Sequence, residues 1–259
     1  MAQPDPITPG DYANWPTLRV IYRTDTDRIA DLLPPGITPG DEPHVHIHVY
    51  QVPIAGEPEF GVVVMVPAKY DGLDGFYNIG YGIDQEQAIA ISNELNGQPK
   101  FPCTIKYFRI GGHVVARAHH QGYTFLEFSG DVGADISDDG PQTWTEHQWW
   151  MKYSRAVGGI EKRYDFPPHV VKVSSTASLV YRIQVDGDLV LRDSPWDPIA
   201  ELLPMREQIA AHLQKTQMDY ASRSLTLAGA LDPDAFWPHA DTIGKSRWPG
   251  MGGGPRKRL

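Results

Sequence analysis

The amino-acid sequence predicts an α+β fold: a single β-rich domain with a large antiparallel, barrel-like sheet flanked by a few helices. Many short runs of β-branched and aromatic residues are separated by Gly, Pro and Asp, and only two segments have a convincing helical pattern. No internal repeat or Gly/Ser linker divides the chain. A chain of 259 residues is long enough to bury a sizeable core. We therefore expect one domain over residues 1–259.

The predicted strands follow one another along most of the chain. β-branched and aromatic residues dominate them, and turn-forming residues bound them. The predicted strands are residues 18–24 (LRVIYRT), 44–52 (HVHIHVYQV), 61–70 (GVVVMVPAKY), 75–83 (GFYNIGYGI), 103–110 (CTIKYFRI), 113–130 and 171–193. This succession favours an antiparallel or barrel-like sheet.

The first predicted helix has clear signals at both ends. Asp84 and Gln87 form a capping box at its start, and Gly97 is placed to end it. Pro99 then prevents the helix from restarting. One face of this helix carries Ala88, Ile91 and Leu95.

The second predicted helix begins at Asp197 and Pro198, is interrupted at Pro204 and continues over residues 205–221. Apolar residues at helical spacing support the longer part. These residues are Met205, Ile209, Leu213 and Tyr220.

Composition excludes several classes of protein. A formal charge of −9 argues against nonspecific binding to nucleic acid or anionic membranes. A lone Cys103 excludes an internal disulfide framework. Residues 1–15 lack a basic region followed by an apolar run, and no stretch approaches 18 consecutive apolar residues, so we expect a cytoplasmic protein. The Gly-rich and basic residues 250–259 indicate a flexible tail.

Five segments in order resemble the acetoacetate decarboxylase superfamily over residues of about 12–225. They are LRVIYRTDTDRIADLLPPGI, DEPHVHIHVY, VPAKYDG, DQEQAIAISNELNGQPKF and SPWDPIAELLPMREQIAAHLQ. The most specific element is the helix that ends in Glu-x-x-Gly-x-Pro-Lys, here Glu94, Gly97, Pro99 and Lys100. The resemblance implies that Lys100 forms a Schiff base with a carbonyl substrate. It also implies a barrel-like family fold and a homo-oligomer, a dimer or tetramer.

Three positions depart from the decarboxylase pattern. The family has a second Lys after the nucleophile, and a neighbouring cation activates the lysine of acetoacetate decarboxylase itself, but this chain has Phe101. Trp15 stands where the family has an Arg. Gly61 aligns with a family Glu, and Glu57 and Glu59 lie a few residues upstream. These departures favour the superfamily branch that takes pyruvate through an enamine into aldol addition and dehydration.

Several residues are candidates for the remaining chemistry. Lys100 is the expected nucleophile, Tyr81 the expected proton donor, and Glu59 the nearest carboxylate, although a loop position is the alternative for Glu59. Asn96 and Gln98 carry amides that can hold a carboxylate or a departing hydroxyl, or cap the helix end. We also expect three further residues to line the substrate pocket. They are His48, Trp15 and Phe101, of which Phe101 helps to exclude water.

One face of a predicted strand carries three histidines, His44, His46 and His48, which suggests a metal site. Residues two apart lie about 6 to 7 Å from each other, too far for three imidazoles to bind one ion comfortably. We therefore expect no metal, and His48 is better interpreted as a pocket residue that hydrogen-bonds substrate or transfers a proton. We expect no cofactor.

The resulting expectation is a Schiff-base lyase for pyruvate or another 2-oxo acid, with an aldehyde as second substrate and with the related hydration of 2-oxo-3-enoates. Two alternatives stay open. One is decarboxylation of acetoacetate or another β-keto acid, and the other is a noncatalytic protein that binds a small molecule in the barrel. No nucleic acid or membrane partner is expected.

Overall fold

The computed structural model describes residues 15–54, 57–159, 161–241 and 247–257. Its strands are β1 (Thr17–Arg23), β2 (Thr38–Pro39), β3 (His44–Ile54), β4 (Glu57–Tyr70), β5 (Leu73–Ile83), β6 (Lys100–Pro102), β7 (Thr104–Ile110), β8 (His113–His120), β9 (Tyr123–Asp135), β10 (Thr143–Arg155), β11 (Tyr164–Leu191) and β12 (Glu207–Ala230). Its helices are α1 (Thr26–Leu32), α2 (Glu86–Asn96), α3 (Ile199–Leu202), α4 (Pro233–Phe236) and a 3₁₀ helix (Trp237–His239).

Seven of these strands pair in a closed ring. The order is β10-β5-β4-β3-β1-β12-β11, and β11 pairs with β10 again. The long strand β11 has two partners on the same side. Its residues 164–178 pair with β10 and close the ring, and its residues 183–191 pair with β9. Strands β9, β8 and β7 therefore extend the sheet beyond the ring.

The predicted β-rich fold with a barrel-like sheet and few helices is confirmed. One refinement concerns strand direction, because β5 runs parallel to both β6 and β10 while the other described pairs in the ring are antiparallel. The sheet is therefore mixed. The parallel pairing of β5 with β6 follows from α2, which connects the two strands.

Two apolar cores flank the barrel wall. The larger one includes Leu18, Ile47 and Trp149, each fully buried. The smaller one includes Tyr81 and Trp150 together with Met65, Val63 and Val173, residues that also line the barrel interior. Adjacent residues on a strand point to opposite faces, so Trp149 and Trp150 contribute to different cores.

Helix α2 ends as predicted but begins differently. Gly97 has φ 65°, and a Cβ there would lie 2.3 Å from the carbonyl oxygen of Met151, so only glycine fits this helix end. The expected capping box is absent: Gln85 is the N-cap and makes no side-chain cap hydrogen bond. The Asp84 carboxylate instead accepts a hydrogen bond of 2.9 Å from the Phe60 backbone N–H.

The predicted apolar face of α2 is mostly not buried. Ala88 is buried, but the side chains of Ile91 and Leu95 are 58% and 59% exposed in the chain as described. Helix α2 therefore packs against the domain through its contacts with β6 and β10, and its apolar face is buried only in part.

The second predicted helix is wrong after residue 202. Only Ile199–Leu202 is helical, and Glu207–Ala230 is strand β12. Strand β12 pairs with β1 on one side and with β11 on the other, and residues 211–214 are all buried because both faces of this central strand are covered. Interstrand hydrogen bonds on both sides thus override a segment whose composition favours helix.

The C-terminal segment packs against the domain over the residues described. The backbone N–H of Arg256 donates to Pro195, its guanidinium pairs with Glu201 at 2.6 Å, and Trp248 belongs to the larger core. The flexible tail expected over residues 250–259 stays a prediction, and residues 258–259 lie outside the described residues. The N-terminal residues 1–14, which carried the prediction about a secretory signal, lie outside the described residues. None of the described helices has the length and apolar character needed to span a membrane.

Candidate active site

Lys100 occupies the first position of β6, four residues after the last residue of α2. Its backbone pairs with Tyr81 of β5. The side chain of Asn93 holds the same backbone, because Asn93 Oδ1 accepts from Lys100 N at 3.1 Å and Asn93 Nδ2 donates to Lys100 O at 3.2 Å. Helix α2 and strand β5 therefore fix the lysine before its side chain makes any contact.

The Lys100 amine meets a buried carboxylate. Lys100 Nζ lies 3.3 Å from Glu59 Oε2, and the residues are 7% and 2% exposed. Taking both charges out of water is costly unless they are close together and otherwise hydrogen-bonded. The alternative that Glu59 is a loop residue is wrong, since it lies on β4.

Tyr50 completes the environment of this carboxylate. Its hydroxyl donates to Glu59 Oε1 at 2.9 Å, so the two oxygens of Glu59 have different partners. Gly61, the residue that aligns with the family Glu, lies opposite Tyr50 in the ladder between β3 and β4. A carboxylate thus reaches the lysine from a position two residues earlier on the same strand.

A cavity of about 350 Å³ lies inside the barrel, and Lys100 lines it. Every strand of the ring contributes a polar side chain to its wall. These residues are Arg19, His48, Glu59, Tyr81, Gln148, Ser175 and Thr216. This volume is within the usual range for small-molecule sites.

One row of paired residues crosses the cavity wall from strand to strand. Lys100 pairs with Tyr81, Tyr81 with Val63, Val63 with His48 and His48 with Arg19. Directly paired residues point to the same face of a sheet. The row therefore explains how residues from five separate strands line one cavity.

Tyr81 belongs to a hydrogen-bonded chain of polar side chains. Its hydroxyl accepts from Asn78 Nδ2 at 2.6 Å and donates to Gln148 Oε1 at 2.8 Å. Gln148 Nε2 in turn donates to Glu146 Oε1 at 2.6 Å. Tyr81, the expected proton donor, therefore lines the cavity with its hydroxyl proton directed toward Gln148.

His48 faces the cavity as a neutral group. Burial, followed by the positive charge of Arg19, holds its pKa well below the ordinary histidine value. Its Nε2 is buried and has no hydrogen-bond partner within the described part of the chain. A neutral imidazole in this position can form a hydrogen bond with a bound molecule.

The other histidines of β3 do not join His48 in a common centre. The rings of His44 and His46 lie 6.4 Å apart, and His46 packs edge-on against Phe76 at 4.9 Å. Burial lowers the pKa of His46 to about 3. Within the described ranges, no group of three His, Cys, Asp or Glu side chains is arranged to hold a metal ion.

Of four further residues predicted to line the cavity, the structure places two at its wall and two elsewhere. Asn96 and Gln98 line the cavity beside Lys100. Phe101 and Trp15 do not. Phe101 follows Lys100 on β6 and points to the opposite face, where the Arg247 guanidinium lies 3.3 Å from its ring centroid. Trp15 packs 5.4 Å from the ring of Tyr107 in the larger core.

Sequence reasoning missed Tyr50, Arg19 and the cavity residues of β10. Tyr50 continues the alternation of His44, His46 and His48 on β3, which was a usable signal. Strand β10 was not predicted at all, although residues 143–150 (TWTEHQWW) are rich in Thr and Trp, which are typical of strands.

Comparison of the sequence with known proteins relates this chain to acetoacetate decarboxylases. A family model described as acetoacetate decarboxylase matches residues 1–226. An acetoacetate decarboxylase of Clostridium botulinum (strain Eklund 17B / Type B) is 29% identical over 99 residues, 37% of this chain and 39% of that protein. One of Paraburkholderia phytofirmans is 32% identical over 99 residues, 37% of this chain and 38% of that protein. The matched stretch thus spans about two fifths of these curated relatives.

Two solved structures share the fold over most of their length. The acetoacetate decarboxylase of Legionella pneumophila is 17% identical with a TM-score of 0.69, over 87% of this chain and 92% of that chain. The enduracididine biosynthesis enzyme MppR, solved in complex with pyruvate, is 17% identical with a TM-score of 0.65, over 81% of this chain and 87% of that chain.

Proposed function

The chain belongs to the acetoacetate decarboxylase family, and from this premise we propose that it is a Schiff-base-forming lyase acting on pyruvate or another 2-oxo acid. The proposed reaction is aldol condensation with an aldehyde followed by loss of water, with the reverse hydration of 2-oxo-3-enoates. The observation that carries the proposal is the buried Glu59 carboxylate 3.3 Å from Lys100 Nζ. Enamine formation from pyruvate needs a base beside the iminium, and Glu59 is in reach of that position.

The first step is formation of the imine. Only a neutral amine attacks a carbonyl, so Glu59 accepts a proton from the Lys100 ammonium as the 2-oxo acid binds. Lys100 Nζ then bonds to C2 of the substrate. Glu59 returns the proton to the carbinolamine hydroxyl, which leaves as water, and the product is a cationic iminium beside an anionic carboxylate.

The second step forms the new carbon–carbon bond. Glu59 removes a proton from C3, and the C–H electron pair moves into the iminium to give a neutral enamine. C3 of the enamine then attacks the aldehyde carbonyl carbon, and the aldehyde oxygen takes up a proton. Tyr81 is the proposed donor, because its hydroxyl lines the same cavity as Lys100, and this step leaves it as a phenolate.

Loss of water completes the forward reaction. The adduct remains an iminium. The Tyr81 phenolate takes the second C3 proton, and the protonated Glu59 gives its proton to the hydroxyl on the neighbouring carbon, which leaves as water. Hydrolysis then releases a 2-oxo-3-enoate and frees Lys100. By microscopic reversibility, the same groups add water to a preformed 2-oxo-3-enoate.

The cavity also offers groups for binding the substrate carboxylate. Gln98 and Asn96 carry amides beside Lys100, and Arg19 supplies a cation in the row of residues that crosses the cavity wall. His48 adds a neutral hydrogen-bonding group next to Arg19. These residues are the proposed binding set, and hydrogen bonds from an arginine to a carboxylate are among the strongest available.

The comparisons support this choice within the family. One relative, MppR, has been solved with pyruvate and also with the condensation product of pyruvate and imidazole 4-carboxaldehyde. The curated relatives are named acetoacetate decarboxylase, which makes decarboxylation of a β-keto acid the second candidate. Both reactions pass through the imine on Lys100, and the choice of the pyruvate reaction rests on Trp15 and Phe101, which stand where the resemblance expects an Arg and a second Lys.

Reductive trapping tests the proposal. The protein is incubated with pyruvate and cyanoborohydride, and the intact mass and the modified peptide are determined. We expect one reduced pyruvate on Lys100, none in Lys100→Ala, and unchanged trapping in Lys106→Ala, a matched change at an exposed lysine of β7. Undiminished trapping in Lys100→Ala contradicts the assignment. Trapping without condensation or hydration across a broad aldehyde panel instead favours the noncatalytic binding protein.

A further inference from the structure

Tyr50 and Gly61 form one structural unit over the cavity. The two residues lie directly opposite each other on β3 and β4. A Cβ at position 61 would lie 2.1 Å from Tyr50 Cζ and 2.3 Å from the Tyr50 hydroxyl oxygen. No non-glycine residue fits under the ring unless the ring moves. Gly61 therefore leaves the space that the phenol occupies.

In this space the Tyr50 phenol contacts Glu59, which is not the residue directly opposite Tyr50 on β4. Glu59 is paired with Val52, so Tyr50 and Glu59 are diagonal neighbours across the two strands. Diagonal neighbours are within reach of an aromatic side chain. The Tyr50 hydroxyl crosses position 61 and donates to Glu59 Oε1, which leaves Oε2 for Lys100 Nζ.

We propose that Tyr50 is a positioning residue that sets the Glu59 carboxylate for proton transfer at Lys100, and that Gly61 is required because it admits the Tyr50 ring. This inference rests on the proposed function. It adds two residues to the reaction, neither of which needs to touch the substrate.

The hydrogen bond orients Glu59. It fixes the plane of the carboxylate, so that Oε2 stays directed at the lysine nitrogen and at C3 of a substrate bound there. The oxygen that accepts a proton is thereby kept in place in each step that needs a base.

Exchange of the pyruvate methyl protons for deuterium measures proton transfer separately from imine formation. The test compares exchange in D₂O, followed by NMR, with the yield of reductive trapping. In Tyr50→Phe we expect nearly unchanged final trapping and exchange slowed about 10- to 100-fold. Gly61→Ala has the same effect because the methyl group displaces the ring.

A control variant separates positioning from a general loss of stability. Tyr107→Phe also removes a buried phenol hydroxyl, one that donates to Pro16 O at 2.6 Å outside the cavity. We expect this control to lower the melting temperature without slowing exchange. In the double variant Tyr50→Ala/Gly61→Ala, relief of the clash restores stability relative to Gly61→Ala but exchange stays slow.

The outcomes are distinguishable. Exchange at the wild-type rate in Tyr50→Phe overturns the role of Tyr50 and leaves the proposed function in place. Exchange slowed equally in Tyr50→Phe and in the Tyr107→Phe control does the same. Failure of the wild-type protein to trap pyruvate and to exchange its methyl protons overturns the proposed function, and the role of Tyr50 with it.

Discussion

The Asn93 side chain forms hydrogen bonds with both the backbone N–H and the backbone carbonyl oxygen of Lys100. Its Oδ1 accepts from Lys100 N and its Nδ2 donates to Lys100 O, at 3.1 Å and 3.2 Å. Asn93 lies in the last turns of α2, so the helix holds the lysine through a side chain as well as through the connecting residues. A nucleophile needs this kind of support, since small errors in position cost rate.

We expect Asn93→Ala to slow reductive trapping about 10-fold and to lower the free energy of unfolding by about 1 to 3 kcal/mol, because two hydrogen bonds to the Lys100 backbone are lost. Asn93→Asp keeps the acceptor and loses the donor, so an intermediate effect is expected. Urea unfolding and trapping time courses measure the two quantities. Wild-type trapping in Asn93→Ala shows that the remaining backbone contacts suffice.

The Lys100–Glu59 pair predicts strongly non-additive effects on stability. Removing one partner of a buried ion pair leaves an uncompensated charge and typically costs about 3 to 5 kcal/mol. We therefore expect Lys100→Met and Glu59→Leu each to destabilise the protein more than the double variant Lys100→Met/Glu59→Leu. Denaturant unfolding of all four proteins gives the coupling free energy. Additive single effects contradict a buried ion pair.

Histidines in and near the cavity predict loss of stability in mild acid. Burial, with the charge of Arg19, lowers the pKa of His46 to about 3 and that of His212 to about 4, and it also lowers the pKa of His48. The unfolded chain takes up these protons below about pH 6.5 and the folded protein does not. The free energy of unfolding should fall by about 1.4 kcal/mol per pH unit for each histidine.

This loss begins as the pH falls below about 6.5 and stops for each histidine near its folded pKa. Denaturant unfolding at pH 7.5, 6 and 5 measures it. His212→Gln should reduce the slope, and a slope that is unchanged in this variant shows that His212 does not contribute.

Acetoacetate is expected to be a poor substrate. The resemblance predicts an Arg and a second Lys where this chain has Trp15 and Phe101, and neither of these side chains lines the cavity. Neither position therefore supplies a cation to a bound substrate. Carbon dioxide release is the measurement, and turnover at ordinary enzyme rates of about 1 to 1000 per second means that these departures do not matter.

Tyr81→Phe and Gln98→Ala should slow condensation and hydration more than they slow reductive trapping. Tyr81 is proposed to supply a proton and Gln98 to hold a carboxylate or hydroxyl, and neither forms the imine. Two assays follow the chemistry: pyruvate with an aldehyde should give a chromophoric enone, and a preformed 2-oxo-3-enoate should lose its absorbance. Equal effects on trapping and on both assays indicate that these residues only maintain the shape of the cavity.

Local features of the site could be predicted from the sequence. The Gly97 helix end, Pro99 and the position of Lys100 depend on backbone preferences of a few adjacent residues, and the structure has α2 and β6 where these preferences place them. The alternation of polar residues on β3 likewise placed His48 on the cavity side. These features can be predicted because the residues that cause them lie in the same helix or strand, or directly beside it.

Strand pairing and the partners of Lys100 required the tertiary structure. Residues 207–221 are a strand because β1 and β11 supply hydrogen bonds on both sides, and burial of both faces removes the alternation that marks a strand in sequence. Glu59 and Tyr50 are 41 and 50 residues from Lys100, and Gln148 lies on a strand that closes the ring. The sequence determined where the lysine is, whereas closure of the barrel decided which carboxylate, phenol and amide surround it, because those contacts depend on the register of distant strands.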